Sequence, residues 1–147
     1  MNYKFYGNQS NPVTPIDPTF AKVKDQRHLY DLLSECWSIE TCAPRYRDEW
    51  SKANKTLGQC SITAFLVQDI FGGDVFGIPL PEGGYHCFNA VGDVVFDLTS
   101  EQFGDKVLDY QHVVEQVREE HFDDEEKYHR YLILKTSLLE KLNKHEK

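Results

Sequence analysis

A cysteine, a histidine and an aspartate, placed in that order along a chain of 147 residues, supply the parts of a thiol active site: Cys60, His86 and Asp97. Cys60 directly follows Gly58-Gln59 and opens a predicted helix. Unpaired N–H groups at a helix start carry partial positive charge and favour the thiolate over the thiol. The thiolate is the form that attacks a carbonyl. Gly58 permits a sharp backbone approach. The Cys60 N–H, with a side-chain amide from Gln59 or Asn54, would meet a developing oxyanion. Of the six histidines, only His86 falls between a glycine turn and a run of strand-forming residues with apolar neighbours. On such a strand it can be held rigidly as the proton acceptor. Asp97 falls on the partner strand, where its carboxylate would fix the imidazole tautomer. Asn89 is a second choice for that orienting task, because strand alternation turns it away from His86.

The same residues have a plainer reading. A cysteine near a helix start is often a small buried side chain. A histidine on a strand is often a satisfied structural group, and Asp97 ahead of Leu98-Thr99 could cap the next segment. On that reading the chain is a non-catalytic binding module, holding a protein partner with its acidic surface or its terminal helix.

The elements needed to position these residues follow from patterning. Residues 1–20 carry Pro12, Pro15 and Pro18 and read as an extended arm, since proline fixes φ and removes a donor. Residues 21–147 form one domain. Leu29, Leu32, Leu33 and Cys36 recur at helical spacing between Asp25 and Cys36. Pro44 to Asn54 holds a short helix or turn, with Trp37 and Trp50 as expected core anchors. Cys60 to Phe71 is apolar on almost every side, which marks a buried helix, and Gly72-Gly73 ends it. The period then changes to two. Asp74–Leu80, Tyr85–Val91 and Val94–Leu98 read as strands, the last two joined by the tight Gly92-Asp93 turn as an antiparallel hairpin. Thr99 is placed to cap a short segment, Ser100 to Phe103. Glu115 to Glu126 is an acidic solvated stretch, and its Asp123–Glu126 run lacks the spacing of a calcium loop. Tyr128, Tyr131, Leu134, Leu138 and Leu142 form a terminal helical stripe, with fraying expected over the last five residues. Helices, then a small antiparallel sheet, then a helix give an α+β class.

These motifs also resemble known families. Gly58-Gln59-Cys60, His86-x-Phe88-Asn89 and Asp97-Leu98-Thr99 resemble the Cys, His and Asp boxes of the transglutaminase-like branch of papain-fold proteins. Ser61 stands where that branch carries Trp. More narrowly, Gly58-Gln59-Cys60-x-x-Thr63-Ala64, Gln68-Asp69-x-Phe71-Gly72-Gly73, His86-x-Phe88-Asn89 and Asp97-Leu98-Thr99-x-x-Gln102-Phe103 are similar to the small bacterial YunG-like proteins. The resemblance implies a papain-like core, a central helix on a small antiparallel sheet, extended here by a C-terminal helix. It also implies a cysteine hydrolase or acyl transferase acting on an amide or thioester through Cys60, His86 and Asp97.

Bulk properties narrow the partners. A formal net charge of −8 argues against nucleic acid and anionic membranes, which need a basic face. No stretch approaches the roughly 20 apolar residues of a membrane span, and the polar start does not read as a secretory signal. The cytoplasm is therefore expected. The four cysteines match no zinc module and read as free thiols. Thiol acyl chemistry requires no metal or organic cofactor. The expected substrate is a protein, a peptide or a small amide.

Overall fold

A computed structural model describes residues 3–144 of the chain. The first helix, α1 (Gln26–Ser34), starts where the Asp25 carboxylate accepts from the His28 N–H at 2.9 Å. Leu29, Leu32 and Leu33 form its buried face. A 3-10 helix, Pro44–Glu49, follows. The second helix, α2 (Cys60–Phe71), buries residues on every side, among them Ile62, Phe65, Leu66 and Ile70. Gly72 ends it at φ 81°, and its N–H closes on Gln68 O at 2.8 Å.

Four strands make one antiparallel sheet: β1 (Asp74–Pro79), β2 (Tyr85–Val91), β3 (Val94–Phe96) and β4 (Val114–Glu115), in the order β3-β2-β1-β4. The register pairs Ile78 with His86 and Asn89 with Phe96. A short helix α3 (Arg118–Phe122) leads to α4 (Glu125–Lys144), so α2 lies between the sheet and α4. Tyr131, Leu134, Leu138 and Leu142 of α4 are buried. Each fully buried leucine of that stripe stabilises the domain by roughly 1.5–3 kcal/mol relative to exposure. Trp37 Nε1 donates to Thr63 Oγ1 at 2.9 Å and joins the segment after α1 to the central helix.

The α+β class, the main helices and the hairpin agree with the sequence patterning. Several particulars differ. The described part of the N-terminal arm is not simply extended: it holds a turn at residues 7–9 and a 3-10 helix at Pro18–Phe20, and it is part of the same core. Phe5 is fully buried against Tyr30, with ring centroids 5.0 Å apart. Buried Gln26 accepts from Val13 N–H at 2.9 Å and donates to Asn11 O at 2.8 Å, which fastens the arm to α1. Tyr6 extends β3 by a bridge, since Asp97 N–H donates to Tyr6 O at 2.9 Å. Trp50 is only half-buried, because its indole N–H turns to Lys55 O at 2.9 Å and anchors a loop rather than the core. The acidic stretch yields β4 and α3, which polar composition conceals: two residues suffice to pair with the edge of β1. Helix α4 reaches Lys144, and the remainder of the expected frayed end lies outside the described residues.

Candidate active site

The loop into α2 depends on Gly58. Its φ is +73°, and a Cβ there would lie 2.6 Å from Cys42 Sγ and 2.9 Å from the Ala43 nitrogen. With no side chain, Gly58 lies against that segment and its carbonyl accepts from Ala43 N–H at 2.9 Å. The chain then enters α2 with Cys60 as its first helical residue. No side chain caps this helix end, so its first N–H groups remain open and their partial charge favours an anion at Cys60.

Cys60 is half-buried and lines a cavity of about 620 Å³. His86 lines the same cavity from β2, and Sγ of Cys60 lies 3.9 Å from the carbonyl oxygen of the adjacent Tyr85. The imidazole is fully buried. Its Nε2 lies 2.6 Å from Asp97 Oδ2, the residue following β3. Nδ1 is buried with no hydrogen bond of standard geometry, and Cys60 is the thiol close enough to act on this ring's titration. Cys60 and His86 therefore share one cavity, and Asp97 stands behind the imidazole.

Electrostatics set the protons. The neighbouring Cys87 thiol and the His86 imidazolium, acting against the cost of burial, hold the Cys60 thiol well below its ordinary range. Cys87 is driven the other way, first by the Cys60 thiolate beside it and then by burial. For His86, burial favours the neutral ring, but the Asp97 carboxylate and Cys60 outweigh it and raise the pKa to about 10. The Cys60 and His86 shifts both favour a thiolate–imidazolium pair over a thiol beside a neutral ring.

Asp97 is fixed from both sides. Its Oδ2 also accepts from Tyr110 OH at 2.8 Å, and its Oδ1 accepts from Thr99 N–H at 3.2 Å and Thr99 Oγ1 at 3.3 Å. Thr99 precedes the 3-10 helix Ser100–Phe103 but provides no side-chain cap to it, because its hydroxyl serves Asp97 instead. Phe103 stands edge-on to His86, with centroids 4.7 Å apart, and covers the imidazole. Gln102 accepts from Gly58 N–H at 3.4 Å and donates to Thr99 O at 3.0 Å, tying the Cys60 loop to the Asp97 segment.

The three amides expected to assist are placed elsewhere. Gln59 is fully buried and donates to Ser38 O at 3.0 Å, away from the thiol. Asn54 lies in a separate depression beside Trp37 and Lys55. Asn89 turns to the other face of β2 and donates to Ala64 O at 2.8 Å, which pins the sheet to α2. The uncapped backbone N–H groups at the start of α2 are what remain beside Cys60.

Sequence reading passed over Tyr110 and Cys87. Tyr110 sits in an irregular loop with no period to single it out, and Cys87 is a neighbour of His86 that alternation assigns to the opposite face. Gln102 and Phe103 stood in the family-like motif without a role. No group of three or more metal-binding side chains occurs among the described residues, and all four cysteines are free. No helix of the described residues is long and apolar enough to cross a membrane.

Residues 25–143 match the family described as YunG protein. The chain is 32% identical over 105 residues to a Bacillus subtilis (strain 168) protein described as uncharacterized protein YunG, a match spanning 71% of this chain and 85% of that relative. No solved structure matches the chain.

Proposed function

The chain belongs to the YunG family, and from that premise we propose that it is a cysteine hydrolase or acyl transferase of papain-like, transglutaminase-like design. One observation carries this reading: a half-open cysteine at an uncapped helix start shares a cavity with a buried histidine held 2.6 Å from an aspartate. Cys60 thiolate attacks the carbonyl carbon of an amide or thioester. The resulting oxyanion is met by the open N–H groups of α2. His86, charged at the outset, gives its Nδ1 proton to the leaving nitrogen or sulfur as the C–N or C–S bond breaks. Water or an amine then attacks the acyl-enzyme, and His86 takes the proton released. Asp97 keeps the ring oriented and its charge balanced through both halves. The substrate is a protein, peptide or small amide, and free thiols agree with a cytoplasmic setting.

Two measurements test it. Peptide-resolved labelling with iodoacetamide near neutral pH is expected to modify Cys60 well ahead of buried Cys36, Cys42 and Cys87, and to slow sharply in His86→Ala. Incubation with a p-nitrophenyl ester is expected to give an acyl adduct on Cys60 that turns over. Equal labelling of all four thiols, or no adduct, sinks the enzyme reading in favour of the binding module.

A further inference from the structure

The wall of the cavity opposite β2 is formed by residues of α3 and the first turn of α4, and it presents an ammonium group. Lys127 Nζ lies 2.9 Å from His121 Nδ1, and His121 Nε2 lies 2.8 Å from Gln116 Oε1. The chain of donors is determined by its far end. The Gln116 amide nitrogen donates to Val114 O at 3.0 Å, so its oxygen faces His121 and takes the Nε2 proton. Nδ1 is then an acceptor and holds one of the three Lys127 protons. Burial, and then the nearby Lys127 charge, push His121 down to about 4, so the ring stays neutral and neutralises nothing. Lys127 forms no ion pair among the described residues. Its charge acts on the Cys87 thiol, and Lys127 lines the same cavity as Cys60.

The acidic residues on this cavity do not meet that need. Asp124 is exposed and occupied, its Oδ1 accepting from Glu126 N–H at 3.0 Å and Lys127 N–H at 3.2 Å at the start of α4. Glu82 and Glu120 are exposed at the rim and solvated. Lys127 is half-buried. In a chain with net charge −8, a half-buried cation held by a neutral histidine and lacking a carboxylate is suited to receive an anion.

We propose that Lys127, braced by His121 and Gln116, is a specificity-determining residue that binds a carboxylate carried by the acyl substrate attacked at Cys60. The inference rests on the acyl-transfer reading above and names its substrate class: acidic amides or thioesters. The remaining Lys127 donors meet the carboxylate as a compact point charge, which orients the scissile carbonyl toward Sγ. The rim carboxylates then discourage substrates bearing a second negative charge farther out.

The test compares two thiol probes that differ in one charge, iodoacetate and iodoacetamide, on Cys60 at pH 7, followed by peptide mapping. In wild type, the acetate-to-acetamide rate ratio is expected to exceed that of glutathione. In Lys127→Gln it is expected to fall by about fivefold, the worth of one partly exposed charge contact, while Lys127→Arg retains it. An unchanged ratio in Lys127→Gln, or an equal loss in Lys127→Arg, overturns the proposal and leaves the activated thiol intact. If neither probe prefers Cys60 over the other cysteines, the acyl-transfer reading fails and this one with it.

Discussion

Replacing Asp97 by Asn is the most informative single change, because it removes one charge and keeps the side chain's shape. Both Asp97 and His86 are essentially sealed from solvent, at 1% and 0% side-chain exposure, so screening is slight. The carboxylate accepts four hydrogen bonds: Oδ2 from His86 and Tyr110, Oδ1 from Thr99 N–H and Oγ1. An amide cannot replace it. If its NH₂ faces Oδ2's partners, it opposes the imidazole N–H and the phenol; if it faces the other way, it opposes the Thr99 N–H. Either rotamer strands a buried donor, which costs about 1–3 kcal/mol of stability. The larger effect is on protons. Burial already favours neutral His86, and the Asp97 charge is the leading force holding its pKa at about 10. Without it the ring is neutral at pH 7, Nδ1 has no proton to offer the sulfur, and Cys60 returns toward a thiol. A loss of only 1.4 kcal/mol in that pairing lowers the thiolate's advantage by about tenfold. The assay is the pH dependence of iodoacetamide labelling at Cys60. Wild type should show a plateau beginning well on the acid side of an ordinary thiol. Asp97→Asn should label at least about tenfold more slowly at pH 7, with its acid limb displaced upward. Tyr110→Phe, which removes a donor to the same oxygen and leaves the charge, should keep the plateau. An Asp97→Asn protein that is folded by circular dichroism and labels with the wild-type profile would refute the ion-pair reasoning outright.

Three further outcomes follow from the same geometry. Cys87→Ala removes the neighbouring thiol that favours the Cys60 thiolate, so labelling at pH 6 should slow by about tenfold, the worth of a hydrogen bond to a charged group; an unaltered rate would show that Cys87 is only packing. Gly58→Ala must place a Cβ 2.6 Å from Cys42 Sγ at positive φ, so urea denaturation should show a loss of about 2 kcal/mol or more, and Cys60 labelling should fall with it. The pair of Cys60 and His86 should also shape stability against pH. His86, raised from 6.5 to about 10, stabilises fully below 6.5 and loses that contribution as pH rises through 10, while Cys60, lowered from 9.0, stabilises above 9.0 and loses it as pH falls. Between 6.5 and 9.0 folded and unfolded chains each hold one proton on the pair, so its contribution is flat. Above pH 9 only the folded chain keeps that proton, and the pair's contribution should drop by about 1 kcal/mol up to pH 10, added to the loss from the raised Cys36, Cys42 and Cys87 thiols, so the fall is steeper in wild type than in His86→Gln.

What could be read from the sequence, and what could not, divides along the range of the interaction. Period and punctuation are local, so α2, the β2–β3 hairpin and the alternation that sends Asn89 away from His86 were all legible. Cys60 at a helix start and His86 and Asp97 on adjoining strands then required only that α2 pack on the sheet, which its apolar surface demands. The amides failed for a physical reason: a side chain's sequence neighbourhood does not show where its hydrogen-bonding obligations lie. Gln59 adjoins the thiol in sequence, yet burial commits its nitrogen to Ser38 O. Tyr110 has no signal in its own loop and acquires a role only through a carboxylate on another element. His121 lay within a stretch legible only as solvated charge, and Lys127 on the polar side of the terminal helix; both line the Cys60 cavity because β4 pairs with β1 and carries α3 and the start of α4 back to it. Local pattern thus specifies the proposed nucleophile and base, whereas long-range closure of the chain supplies the groups proposed to tune their charge and select the substrate. Substitutions at Cys60, His86 or Asp97 should therefore change whether the thiol reacts, while those at Lys127 should change what it reacts with.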